Sequence, residues 1–141
     1  MLIPPSCRLL TVLSLALLTL AACGPSGPDE KDPQEVVTEL AQQRWGLLLE
    51  RDFEAAWDFK SPGFREMTFR QDYAMEMARR PVRWLTAEVS AVECEPEVCV
   101  VTIEGTYQAP GARHGLNRME LPRVTEERWI RVDGQWWHVS E

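Results

Sequence analysis

The chain has 141 residues, 45% apolar and 26% charged, which excludes a disordered polyelectrolyte and a polytopic membrane protein. Its 22 acidic side chains outnumber 15 basic ones for a formal net charge of −7, so it lacks the basic footprint of a nucleic-acid binder. Six Trp and four Cys in so short a chain each need an account.

The amino-terminal segment stands apart. Met1 to Ala22 hold a single charge, Arg8, and from Leu9 the chain is apolar but for Thr11, Ser14 and Thr19. A basic start, a short apolar run and small residues at its end describe a secretory signal, and the run is shorter than the ~20 residues a bilayer span needs. Leu20-Ala21-Ala22-Cys23 resembles the bacterial lipobox. That resemblance implies cleavage before Cys23, a diacylglyceryl group on its sulfur and acylation of the new amino terminus. Such a protein is anchored to the membrane rather than spanning it. Gly24, where no Asp stands, implies by the same resemblance sorting to the outer membrane, facing the periplasm, in a cell with two membranes. Residues 1–22 therefore read as a lipoprotein signal peptide, 23–32 as the lipidated Cys with a flexible tether, and 33–141 as one α+β domain.

Helices come first in that domain. Asp32-Pro33-Gln34-Glu35 supplies an acidic cap, Pro at the first helical position and Glu in the first turn. Val37, Leu40, Ala41, Arg44/Trp45 and Leu48 follow at three- and four-residue intervals, predicting an amphipathic helix to about Glu50. Asp52 can cap a shorter helix through Phe53, Ala56, Trp57 and Phe59, which Ser61-Pro62-Gly63 ends. A third helix is predicted from about Phe69 to Arg79, with Phe69, Tyr73 and Met77 on one face and Pro81 as its stop.

After Pro81 the period changes to two. Strands are predicted over Trp84–Cys94 and Cys99–Tyr107, then, after a loop from Gln108 to Leu121, over Arg123–Val132 and Gln135–Ser140. Export leaves Cys94 and Cys99 as a pair in an oxidising compartment, flanking a four-residue hairpin loop. A structural disulfide is the reading that suits them, since redox motifs want CxxC and zinc wants four ligands. Asp133-Gly134 is a strong hairpin signal. It sets Ile130 opposite Trp137 and Val132 opposite Gln135 on one face, Trp129 opposite His138 and Arg131 opposite Trp136 on the other. In the first hairpin Val89 and Ala91 conflict with Val92, Val101, Ile103 and Tyr107 over which face is apolar, a conflict that a bulge resolves.

The capped helix, the stretch Asp52 to Pro62, a further helix, long strands and the terminal Trp129–Trp137 together resemble the nuclear transport factor 2-like superfamily, over about residues 33 to 141. The resemblance implies a cone: helices packed on a curved antiparallel sheet of about four strands, enclosing a pocket. A cystatin-like fold, the runner-up, needs one long helix where three are predicted. Superfamily enzymes use an Asp base with Tyr and Asp donors, a pattern absent residue by residue; Asp58, Asp72, Tyr73, Glu104 and His138 could form a dyad, but their spacing does not require one.

Trp57, Tyr73, Trp84, Tyr107 and Trp137 are the candidates for lining an apolar pocket, beside Trp45. Trp129, Arg131 and Trp136 are the candidates for an exposed outer sheet face that binds a second copy or an envelope partner. Arg79, Arg80 and Arg83, and the group Arg113, His114, Arg118 and Arg123, could receive an anion, though solvated charge is the plainer reading. Met67, Met75, Met77 and Met119 form no compact copper motif and read as gap-filling side chains. The reading of the whole is a lipid-anchored envelope protein without cofactor or metal. Its domain binds a protein partner or a small apolar ligand without catalysis. The alternative is a small isomerase, cyclase or hydrolase using the cone pocket.

Overall fold

Local signals open each helix. In the computed structural model, which describes residues 31–109 and 119–139, the Asp32 side chain accepts from the Gln34 N–H at 3.1 Å and Pro33 occupies the first turn of α1 (Pro33–Glu50). Arg51 closes that helix in the left-handed region at φ 63°, its N–H bonding the Leu47 and Leu48 carbonyls. Asp52 caps α2 (Phe53–Trp57) by accepting from the Ala55 N–H at 3.0 Å. Ser61-Pro62-Gly63 does not merely end α2. The Ser61 hydroxyl accepts from the Phe64 N–H, and Pro62 starts a helix missed in the sequence, α3 (Pro62–Met67). The last helix, α4, runs Arg70–Arg79; Phe69 precedes it and is exposed, so only Tyr73 and Met77 of the expected stripe face inward.

Four strands follow, β1 (Arg83–Cys94), β2 (Val98–Ala109), β3 (Met119–Val132) and β4 (Gln135–Val139), in one antiparallel sheet ordered β1-β2-β3-β4. The fold is thus α+β, helices first and sheet second. Strands β2 and β3 extend further than expected, pairing from Val98 with Ile130 to Ala109 with Met119. The register of β1 against β2 slips between Val89 and Ala91, which brings Val89 opposite Ile103 and Val92 opposite Val101. That bulge settles the conflict of faces: one extra residue lets both valines point inward. A second slip lies between Trp84 and Thr86, and there Gly105 passes so close that a Cβ would overlap the Thr86 carbonyl oxygen. Cys94 pairs with Cys99 across the first hairpin, their sulfurs at disulfide distance and their Cα atoms 4.1 Å apart. At the second hairpin Asp133 (φ 51°) and Gly134 (φ 77°) both take positive φ, as a two-residue turn matched to strand twist requires.

The terminal hairpin pairs as the turn demands, with Trp129 opposite His138 and Arg131 opposite Trp136. Its faces are the reverse of the expectation. Trp129 is fully buried, and Trp136, His138 and Glu127 are nearly so, while Trp137 on the opposite face is half-buried. Trp129 and Trp136 therefore belong to the core with Val37, Ala41, Leu48, Val101 and Ile103, and with half-buried Arg131 they form no exposed interface. The physical reason lies in residues 59–61, which lie alongside β4. The His138 N–H donates to the Phe59 carbonyl at 2.8 Å, and the Ser61 N–H donates to the His138 carbonyl at 3.0 Å. The chain between α2 and α3 thereby lies along β4, and Phe59 packs edge-on against Trp129 with centroids 6.4 Å apart. Ile130 and Val132 mislead because burial here follows the two large indoles rather than the aliphatic residues.

Among the described residues no helix is long and apolar enough to cross a membrane. The expected signal segment, Cys23 and the expected tether as far as residue 30, and Arg113, His114 and Arg118 lie outside the described residues.

Candidate functional site: a cavity with a buried polar floor

The helical stripe on α1 places Arg44 on the same face as Val37, Ala41 and Leu48, so the fold buries a guanidinium along with the aliphatic side chains. Burying that charge requires a partner, and β3 provides it. Glu127, two residues before Trp129 on the inward face, receives a hydrogen bond from Arg44 Nη1 at 2.6 Å. His138 of β4 turns its Nε2 toward the same carboxylate oxygen at 3.6 Å. Lys60, held beside β4 by the short parallel bridge to His138, sets its Nζ 3.0 Å from His138 Nδ1. Four elements of the chain thus meet in one buried polar array, Arg44–Glu127–His138–Lys60, each member less than a tenth exposed.

The electrostatics follow from burial and mutual proximity. Burial alone would raise the Glu127 pKa, but the Arg44 guanidinium, with help from His138, holds it down to about 2. Burial lowers His138 to about 4, Arg44 and Lys60 acting in the same sense against Glu127. His138 is therefore neutral at pH 7, accepting from the Lys60 ammonium at Nδ1 and presenting Nε2–H to Glu127. Lys60 is lowered to about 7, chiefly by burial and then by Arg44. Its ammonium also lies 5.2 Å from the Phe64 ring centroid and 5.4 Å from that of Tyr73. Tyr73 is raised by burial, against the pull of Arg44.

This array floors an open cavity of about 620 Å³ between α1, α4 and the sheet. Trp45, Leu48, Phe53, Phe64, Met77 and Trp84 form its apolar walls. Trp45 and Trp84 meet edge to face with centroids 4.9 Å apart, and Tyr107 lies behind Trp84 at 5.6 Å. Several buried polar atoms on the lining lack a hydrogen-bond partner among the described residues: Arg44 Nε, Trp45 Nε1, Tyr73 Oη, Thr125 Oγ1 and Glu127 Oε2. Buried donors and acceptors are normally paired, so these exceptions leave hydrogen-bonding capacity gathered on the lining of one cavity. Among the described residues no group of three or more His, Cys, Asp or Glu is placed to hold a metal ion.

Of the five expected pocket residues, Tyr73 and Trp84 line the cavity. Trp57, Tyr107 and Trp137 are not among its lining residues. Trp57 and Trp137 lie elsewhere, stacked about Arg65, whose guanidinium is 5.4 Å from one ring centroid and 4.5 Å from the other. Trp57 is tied further by its indole N–H to the Thr68 carbonyl at 3.0 Å. Arg44, Lys60 and Glu127 are not among the site residues that the sequence singles out, and His138 enters there only as a dyad member. Arg44 was legible, since the i, i+3, i+4 spacing from Val37 through Ala41 to Leu48 includes it.

No family model matches this chain, and no curated protein matches it. Among solved structures, the solution structure of a SEC-C motif containing protein from Rhodopseudomonas palustris is similar to it with a TM-score of 0.53. The two are 14% identical in sequence, and the likeness covers 72% of this chain and 73% of that one. It speaks to the fold alone.

Proposed function

We propose that this is a lipid-anchored envelope lipoprotein whose domain binds a small molecule in the cavity without transforming it. The observation that carries the reading is the cavity itself: apolar walls over a floor of buried polar atoms without protein partners. The domain is taken as a nuclear transport factor 2-like cone, supported by its helices-then-sheet order and by the cavity's place between α1, α4 and the sheet. The polar floor reads as binding machinery because its charges are held in place, Arg44 by Glu127 and Lys60 by His138. Leu20-Ala21-Ala22-Cys23 and Gly24 support anchoring through acylated Cys23 at the outer membrane, facing the periplasm where the cell has two membranes.

The test is native mass spectrometry of the full chain purified from its own membranes. The expected result is a small molecule bound at one per chain, absent from a Trp84→Asp variant that retains its fold by circular dichroism. Recovery of the chain with no bound molecule, even after incubation with total envelope extract, would contradict the reading.

A further inference from the structure

The charge on the cavity opposes the charge on the chain. The protein is acidic overall, at −7, yet the cavity is lined by seven Arg or Lys side chains against three Glu. One of those carboxylates, Glu127, is paired with Arg44 through Oε1 and keeps only Oε2 without a partner among the described residues, and another, Glu76, accepts from Arg80 at 2.9 Å. Arg83, Arg123 and Arg128 stand around the lining with Glu126 as the remaining acid. Deeper in, Arg44 and Tyr73 interact with each other, yet the Arg44 Nε–H and the Tyr73 O–H find no acceptor among the described residues, and both residues are 4% exposed. Such donors await an acceptor, and the net field at the site favours one that is negative.

We infer that the cavity takes an anionic amphiphile, its acid head group received by Arg44, Tyr73 and Lys60 and its apolar body lying against Trp45, Leu48 and Trp84. The inference rests on the binding reading above and narrows it, since a purely apolar ligand would leave the buried donors unmet at a cost for each. A cation would meet the basic lining and be repelled. A bare inorganic anion would leave the aromatic walls wet, forgoing the apolar burial that contributes most of a small ligand's affinity.

Protonation adds an independent signature. Lys60 faces Arg44 on α1, Tyr73, Glu76 and Arg80 on α4, Glu127 on β3 and His138 on β4. Its pKa of about 7 reflects burial and the neighbouring cations, so an anion placed beside it favours the ammonium form. Binding of a permanently charged anion should then take up protons near neutral pH and weaken as pH rises above 7.

The experiment is calorimetric titration of the full acylated chain in phosphatidylcholine nanodiscs, with empty discs as the blank. Four probes are compared: octanesulfonate, which stays anionic at every pH used, octanol, octyltrimethylammonium and inorganic phosphate. Octanesulfonate is expected to bind at one per chain and about tenfold or more tighter than octanol or phosphate, with no binding of the cation. Tyr73→Phe, which keeps the packing, is expected to weaken octanesulfonate by about tenfold and leave octanol unchanged. Affinity for octanesulfonate should fall several-fold from pH 6 to pH 9. Equal affinity for octanol and octanesulfonate overturns the head-group inference while the binding reading stands. Phosphate as tight as octanesulfonate overturns the amphiphile. Failure of every probe to bind overturns both the inference and the binding reading.

Discussion

Glu127 is the side chain on which the buried array turns. Its carboxylate is the one acid of the array, beside the permanent cation of Arg44 and a Lys60 that titrates near 7, and Arg44 would be left as an uncompensated buried charge without it. Arg44→Met is expected to destabilise by about 3–5 kcal/mol, and Arg44→Met with Glu127→Met by clearly less than the sum of the singles. Urea denaturation of the four proteins measures this, and additive losses would show that the pair does not interact. His138 sets a pH dependence of known sign. The folded protein keeps its imidazole neutral down to about pH 4, whereas an unfolded His takes a proton near 6.5. The unfolded chain therefore holds more protons between those values, and stability is lost as pH falls from about 6.5 to about 4, by about 3 kcal/mol at most. In His138→Gln that segment of the stability curve should flatten. Glu127 adds a second loss at lower pH, between its ordinary 4.5 and about 2.

At the scale of elements, the legible parts were those whose signal is local. Asp32-Pro33, Asp52 and Asp133-Gly134 state their caps and turn in two residues, and α1, α2 and the last hairpin form where those signals put them. Ser61-Pro62 carries the same kind of signal yet reads as a stop, because a terminator and a cap share residue types. The face of the terminal hairpin was not legible. Alternation assigns Ile130, Val132 and Trp137 to one side and Trp129, Trp136 and His138 to the other, but which side is covered depends on where residues 59–61 dock. No period along β3 or β4 contains that information. The same long-range docking brings Lys60 to His138, so the candidate site was the least readable part of the chain. Gly105 offers a direct test of the sheet: Gly105→Ala should cost about 1–3 kcal/mol through overlap with the β1 backbone, seen as a lowered Tm. An unchanged Tm would mean that the strands approach less closely there. Reduction of the Cys94–Cys99 pair, which closes a short loop, should cost about 2 kcal/mol in urea.

For the molecule as a whole, an acidic chain carries a cavity with a mostly basic lining. The chain's formal charge of −7 disfavours an electrostatic hold on anionic lipid, so in the proposed reading attachment falls to the acyl chains on Cys23. Cys23→Ala is expected to move the protein from the membrane to the soluble fraction of the envelope, and unchanged membrane attachment would defeat the anchor. The cavity's basic lining suits the anionic ligand inferred above, which an acidic chain would otherwise repel. The six Trp, which composition alone left unassigned, divide between these regions: Trp129 and Trp136 in the core, Trp45 and Trp84 on the cavity, Trp57 and Trp137 about Arg65. That division allows a single spectrum to locate the ligand. The full chain carrying 5-fluorotryptophan, in nanodiscs and titrated with octanesulfonate, should show saturable fluorine shifts at Trp45 and Trp84, with Trp57 and Trp137 unmoved. Shifts confined to Trp57 and Trp137, or none at saturation, would contradict a ligand site in the cavity.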